Sequence, residues 1–206
     1  MTRLADFNKP FIIKRYTAIE AGWVNDPNDL GGETNHGITV ALANQYKKDL
    51  STKFGWDGTM KNLSKDMAFW LYEVEFWAKL LGDRLLAVHP LIADKLFDVA
   101  INAGKTRAGT FLQEFLNVNN NEQKLYADLK VDGWLGDKTF TAIDGFYKAR
   151  GVDGLKKMLH ALVSRQTSYY WDISMGREKN ERFTYGWITR AYESAQEYQR
   201  LGFLYS

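Results

Sequence analysis

The sequence predicts a mainly α chain of the α+β kind, a bundle of helices with one small irregular β-sheet after the first helix. Three observations predict it. Apolar residues recur at helical spacing through most of the chain. Capping residues and glycines frame those segments. One stretch, Asn25-Asp-Pro-Asn-Asp-Leu-Gly-Gly32, is dense in turn formers and is followed by Gly37-Ile-Thr39, a short run able to form a strand.

From Pro10 to about Ala21, Ile12, Ile13, Tyr16 and Ile19 fall on one face of a helix, with Glu20 at its C-terminal end. Glu20 is eight positions from Ile12, a little over two turns, so it emerges beside the apolar stripe, where a carboxyl is partly desolvated. Thr39 is an N-cap for a helix from Val40 to Lys48, and Ser64 for one through Met67, Trp70, Leu71, Val74 and Trp77. Trp70, Phe76 and Trp77 sit among apolar neighbours at helical spacing and read as core.

His89-Pro90 opens a helix that ends at Gly104 and is apolar on two faces, which predicts a central position. A helix over Thr106–Leu116, a polar loop from Asn117 to Glu122 and a turn at Val131–Gly136 follow. Asp137 can cap a helix over Lys138–Arg150, and Leu155–Ile173 and Trp187–Leu201 complete a helical C-terminal half. Two parts of one globule are expected, residues 1–90 and 91–206.

At 206 residues the chain can bury a sizeable core. Its hydrophobic fraction of 45% is ordinary for a soluble protein, and no run approaches the roughly eighteen apolar residues of a membrane span. The net charge of +2, with basic and acidic residues interspersed, argues against nucleic acid as a partner. The chain has no cysteine, and His36, His89 and His160 are scattered, so neither thiol chemistry nor a metal site is expected. The first ten residues carry no classical export signal.

The chemistry concentrates in Glu20-Ala-Gly-Trp-Val-Asn-Asp-Pro-Asn-Asp-Leu-Gly-Gly-Glu-Thr-Asn-His-Gly-Ile-Thr39, which passes from a helix end into a polar, glycine-rich turn. Cleavage of a glycosidic bond near neutral pH needs a carboxylic acid that keeps its proton and a second polar group that balances charge or positions water. Glu20 beside an apolar stripe and Asp29 in a turn rich in backbone donors have environments that push their pKa values apart. Thr34 has a hydroxyl able to orient a water. The same residues also suit plainer roles: a helix-end Glu can be solvated, and Asp26 and Asp29 are common turn formers. An EF-hand loop does not fit, because the alternating ligands and terminal Glu are missing.

The twenty residues Glu20–Thr39 closely resemble the Glu-Gly-Gly-Tyr signature and following acidic-glycine turn of glycoside hydrolase family 108, bacterial and phage lysozyme-like N-acetylmuramidases. Leu96-Phe-Asp-Val-Ala-Ile-Asn-Ala-Gly104, Leu112-Gln113, Val131-Asp-Gly-Trp-Leu-Gly-Asp-Lys-Thr139 and Gly186-Trp-Ile-Thr-Arg190 resemble the predicted peptidoglycan-binding domain that accompanies those enzymes.

The resemblance implies a lysozyme-like fold, Glu20 as general acid, Asp29 as its assistant and Thr34 as a further catalytic candidate, with no cofactor. The Glu, Asp, Thr spacing is similar to that of phage lysozymes, although Thr34 lies one residue closer to Asp29 than in that arrangement. Ala21 stands in place of the first signature glycine and Trp23 in place of the tyrosine; neither change removes the acid.

Trp23, Asn35 and His36 flank the turn and are candidates for glycan contacts. Asn102, within a nearly apolar helix, must either face a cleft or satisfy a neighbour.

The expected partner is the peptidoglycan glycan strand, cleaved by a monomer at the β-1,4 bond between N-acetylmuramic acid and N-acetylglucosamine. Synthesis in the cytoplasm would then require release through a holin pore or a dedicated export route. A lytic transglycosylase and a non-catalytic wall-binding or structural phage protein are the alternatives.

Overall fold

The computed structural model describes residues 2–19, 22–25 and 32–204, with the side chains of 18 and 19 left out. The chain divides into two compact units, Asn8–Lys79 on one side and Met1–Phe7 with Leu80–Ser206 on the other.

In the unit Asn8–Lys79, helix α1 (Lys9–Ile19) is capped by Asn8, whose Oδ1 accepts from the Phe11 amide at 3.0 Å. Ile12, Ile13 and Tyr16 are buried, as their spacing predicts. The expected sheet is present as three two-residue strands, β1 (Trp23–Val24), β2 (Thr34–Asn35) and β3 (Ile38–Thr39), antiparallel in chain order. β2 and β3 are joined by His36-Gly37, both with positive φ (49° and 74°), the handedness that matches strand twist in a two-residue hairpin.

Thr39 caps α2 (Val40–Gln45), its hydroxyl accepting from the Leu42 amide at 3.2 Å. The single helix predicted to Lys48 breaks at Tyr46 (φ −107°, ψ 16°) and resumes as α3 (Lys47–Phe54).

Ser64 caps α4 (Lys65–Leu71), accepting from the Met67 amide at 3.2 Å. The predicted continuation to Trp77 is helical but wider: Tyr72–Trp77 is a π-helix, carried on by Ala78 N bonding to Glu73 O at 2.9 Å. Tyr72, Glu75 and Trp77 are buried there, while Trp70 and Phe76 are half-buried. Trp70 meets Tyr46 and Phe54 edge-on, at centroid separations of 5.8 and 6.0 Å.

The unit containing Leu80–Ser206 is built from α5 (Gly82–Val88), α6 (Pro90–Ala103), α7 (Lys105–Val118), α8 (Asp137–Met175) and α9 (Glu181–Arg200). α6 is central, packing on α5, α7 and α8. His89 Nδ1 accepts from the Leu91 amide at its start, and burial lowers the pKa of that imidazole to about 4.

The two helices predicted either side of residue 151 are both present within the span labelled α8, and they meet at a kink at Gly151, whose non-helical backbone (φ 59°, ψ −153°) is open to glycine and costly for other residues. Gly136, not Asp137, holds the N-cap position; Asp137 lies in the first turn, where its charge meets the positive end of the helix dipole. α9 begins at Glu181, ahead of the predicted Trp187.

Gly109 on α7 fixes how closely the turn at Gly133 approaches. A Cβ at Gly109 would lie 2.0 Å from the Gly133 carbonyl oxygen. Gly109→Ala is therefore expected to destabilise this unit by about 2 kcal/mol or more, through displacement of backbone that cannot rotate away. Urea unfolding followed by circular dichroism measures it.

Candidate active site

α1 leads directly to the signature residue Glu20, which together with Asp29 lies outside the described residues. The described flank of the segment is the sheet. Trp23, on β1 opposite Asn35, is 40% exposed. Its indole N–H donates to Glu33 Oε1 at 2.5 Å, and Lys61 Nζ stands 4.4 Å from the ring centroid. The cation over one face fixes the ring plane. Thr34 is half-buried on β2, paired with Thr39 and Val24.

Asn35 is buried and serves the loop behind the sheet. Its Nδ2 lies 2.7 Å from Met60 O, 3.3 Å from Leu63 O and 3.5 Å from Lys61 O. Asn35→Ala removes this side-chain donor from the buried carbonyls, so a loss of about 2 kcal/mol in unfolding free energy is expected. Chemical denaturation of the variant checks this value.

His36 occupies the hairpin turn in the left-handed region. Its backbone N–H donates to Gly22 O at 3.3 Å, and its carbonyl accepts from the Tyr72 hydroxyl at 3.2 Å. Its Nδ1 is buried without a hydrogen-bond partner, and burial, with the Lys65 charge, lowers its pKa. The ring is thus held neutral, a donor or acceptor and not a cation, in ordinary buffer.

Beside α1 and α4 runs an open groove of about 640 Å³, lined by Pro10, Lys14, Thr17, Lys65, Asp66 and Phe69. Phe69 supplies an apolar wall, the two lysines positive charge and Asp66 an acceptor, a mixture that suits a polar polymer with acidic groups. No motif or spacing in the sequence marks these residues. Lys14 and Lys65 lie 51 positions apart, and only the packing of α1 on α4 brings them to one groove.

Asn102 lies in the other unit, near the end of α6. Its amide is committed to Asp98, with Nδ2 at 2.8 Å from the backbone O and 3.1 Å from Oδ1. Asp98 is fully buried and also accepts from Arg190 Nε (2.8 Å), Lys95 Nζ (3.0 Å) and Gln166 Nε2 (2.9 Å). Burial raises the pKa of this carboxyl, but the Lys95 and Arg190 charges and the hydrogen bonds from Gln166 and Arg190 outweigh burial and hold it at about 2.

Residues 13–104 match the family model for glycosyl hydrolase 108, and residues 107–192 match that of a predicted peptidoglycan domain. The chain thus pairs a glycosyl hydrolase 108 region with a predicted peptidoglycan domain. A solved structure of Brucella abortus SagA is similar to this chain over 94% of each chain, with 25% identity and a TM-score of 0.63. No curated protein matches it.

The chain has the mainly α, lysozyme-like fold with a small three-stranded sheet that the sequence predicts. It is a glycoside hydrolase that acts on peptidoglycan. Among the described residues no helix is long and apolar enough to cross a membrane.

Proposed function

We propose that the chain is an N-acetylmuramidase that hydrolyses the β-1,4 bond between N-acetylmuramic acid and N-acetylglucosamine. Glu20 protonates the leaving oxygen, Asp29 supports the developing charge and Thr34 orients the water. Trp23 and His36 contact the glycan, one through an indole face and the other through a neutral imidazole. General acid chemistry with water as nucleophile requires no cofactor. Residues 1–90 carry the chemistry and residues 91–206 hold the monomer to the wall, which it reaches through a holin or a dedicated export route.

What supports this reading is the place of Glu20 in the sequence: it is the residue after α1, whose Ile12, Ile13 and Tyr16 are buried, three positions before β1 and inside the span that matches the glycosyl hydrolase family. The deciding experiment is mass spectrometry of muropeptides released from purified sacculi. Hydrolysis yields reducing N-acetylmuramic acid ends that accept borohydride. Ends lighter by one water, the 1,6-anhydro form, would make the chain a lytic transglycosylase.

A further inference from the structure

Trp134 is 71% exposed, yet the loop that carries it is held from several sides. Gln113 on α7, only 2% exposed, donates to Asp132 Oδ1 (3.1 Å) and Trp134 O (2.9 Å) and accepts from Gly133 N (2.7 Å). Asp132 Oδ1 also accepts from the Trp134 amide at 2.9 Å. Gly133 lies so close to Thr106 that a Cβ there would be 2.4 Å from its carbonyl oxygen, and the Trp134 ring edge passes over Gly136.

The approach to the loop is fixed in the same way. Asn117 binds Leu129 through both its amide and its carbonyl, each at 2.8 Å. Asn120 accepts from Gln123 N (3.0 Å) and donates to Asp128 (2.7 Å), across a turn in which Asn121, Glu122 and Gln123 all have positive φ. A chain that accepts three left-handed residues in a row is being directed to one conformation by its side chains.

The indole is therefore presented to solvent on a fixed backbone, which removes most of the ordering cost that a mobile loop would add on binding. Beside it is an open hollow of about 210 Å³, lined by Leu129, Lys130, Asp132, Asp137, Lys138 and Thr139 as well as by Trp134 and Gln113. The hydrogen bonds from the Trp134 amide and from Gln113 keep the Asp132 carboxyl below its usual pKa, so it acts as an acceptor. An apolar protein partner would find charges around a single ring. A pyranose finds an aromatic plane for its C–H face, carboxylates for its hydroxyl and amide hydrogens, and lysines for an acidic substituent.

We propose that Trp134 and the hollow beside it form a glycan-binding subsite that takes one N-acetyl sugar of the peptidoglycan strand together with its acidic substituent. The proposal rests on peptidoglycan being the polymer on which the chain acts. It gives the C-terminal unit a defined contact with the wall, served by residues that take no part in bond cleavage.

The test is co-sedimentation of the full chain with purified sacculi in the cold, beside the release of reducing ends from short soluble glycan fragments. Trp134→Ala should weaken retention by roughly five- to tenfold, in line with the loss of one aromatic stacking contact, with Trp134→Phe intermediate. Lys130→Glu, at a side chain that is 87% exposed, should weaken it at low salt only. Melting temperature and release from soluble fragments should stay at parental values in all three.

Retention of Trp134→Ala equal to the parent overturns the subsite, as does retention lost only together with melting temperature. A parent that releases reducing ends but does not sediment with sacculi overturns the subsite and leaves the hydrolase reading standing. A parent that does neither overturns both.

Discussion

Glu20→Gln is expected to lower the release of reducing ends from peptidoglycan by about 10²- to 10⁴-fold, the range over which a positioned general acid acts. The amide has nearly the shape of the carboxyl and can still donate a hydrogen bond, but it has no acidic proton to pass to the leaving oxygen. Retention on sacculi and melting temperature should be unchanged, because the substitution removes a proton and no packing. Steady-state rates on sacculi of parent and variant, with sedimentation as the control, separate the outcomes. A variant as fast as the parent would move the acid role away from Glu20.

Asp98→Asn is expected to destabilise the Leu80–Ser206 unit by about 3–5 kcal/mol, the range found when one partner of a buried ion pair is removed. The Lys95 ammonium and the largely buried Arg190 guanidinium would then share a site without the Asp98 charge. For a chain of this size each kcal/mol lowers the melting temperature by roughly 2–4 °C, so a fall on the order of 10 °C is expected by calorimetry. Lys95→Met added to Asp98→Asn removes one stranded cation and should recover part of the loss. A variant that melts with the parent would show that the cluster contributes nothing to stability.

The same groups set the acid limb of stability. The half-buried His89 is neutral in the folded chain down to about pH 4, while in the unfolded chain it takes a proton below its ordinary value of 6.5. The unfolded state therefore binds more protons across that window, and stability falls as pH drops through it. Asp98, with a folded pKa of about 2 against an ordinary value of 3.8, adds a second loss between those values as the unfolded chain protonates first.

The C-terminal motifs acquire a physical meaning in the structure. Asp98, Asn102 and Arg190, which stand in two separate motifs, meet at one carboxylate, and Gln166 on α8 joins them although no motif contains it. Gln113 and the Asp132–Trp134 stretch, again from two motifs, close one loop. These residues hold α6, α7, α8 and α9 in place and present Trp134.

The sequence by itself determined the elements whose causes are local. Period 3.6 placed α1 and α6, hydroxyl caps placed the starts of α2 and α4, and a turn-former cluster beside Gly37-Ile-Thr39 placed the sheet. Each depends on residues a few positions apart, so the interaction can be read along the chain. Only the tertiary structure decided the roles of residues whose partners are far away in sequence. Asn35 bonds to carbonyls 25 to 28 positions on, and Asp98 is satisfied by residues 68 and 92 positions on. The free energy of a buried polar group is set by whether a partner reaches it, and that depends on packing and not on the residue's own neighbours.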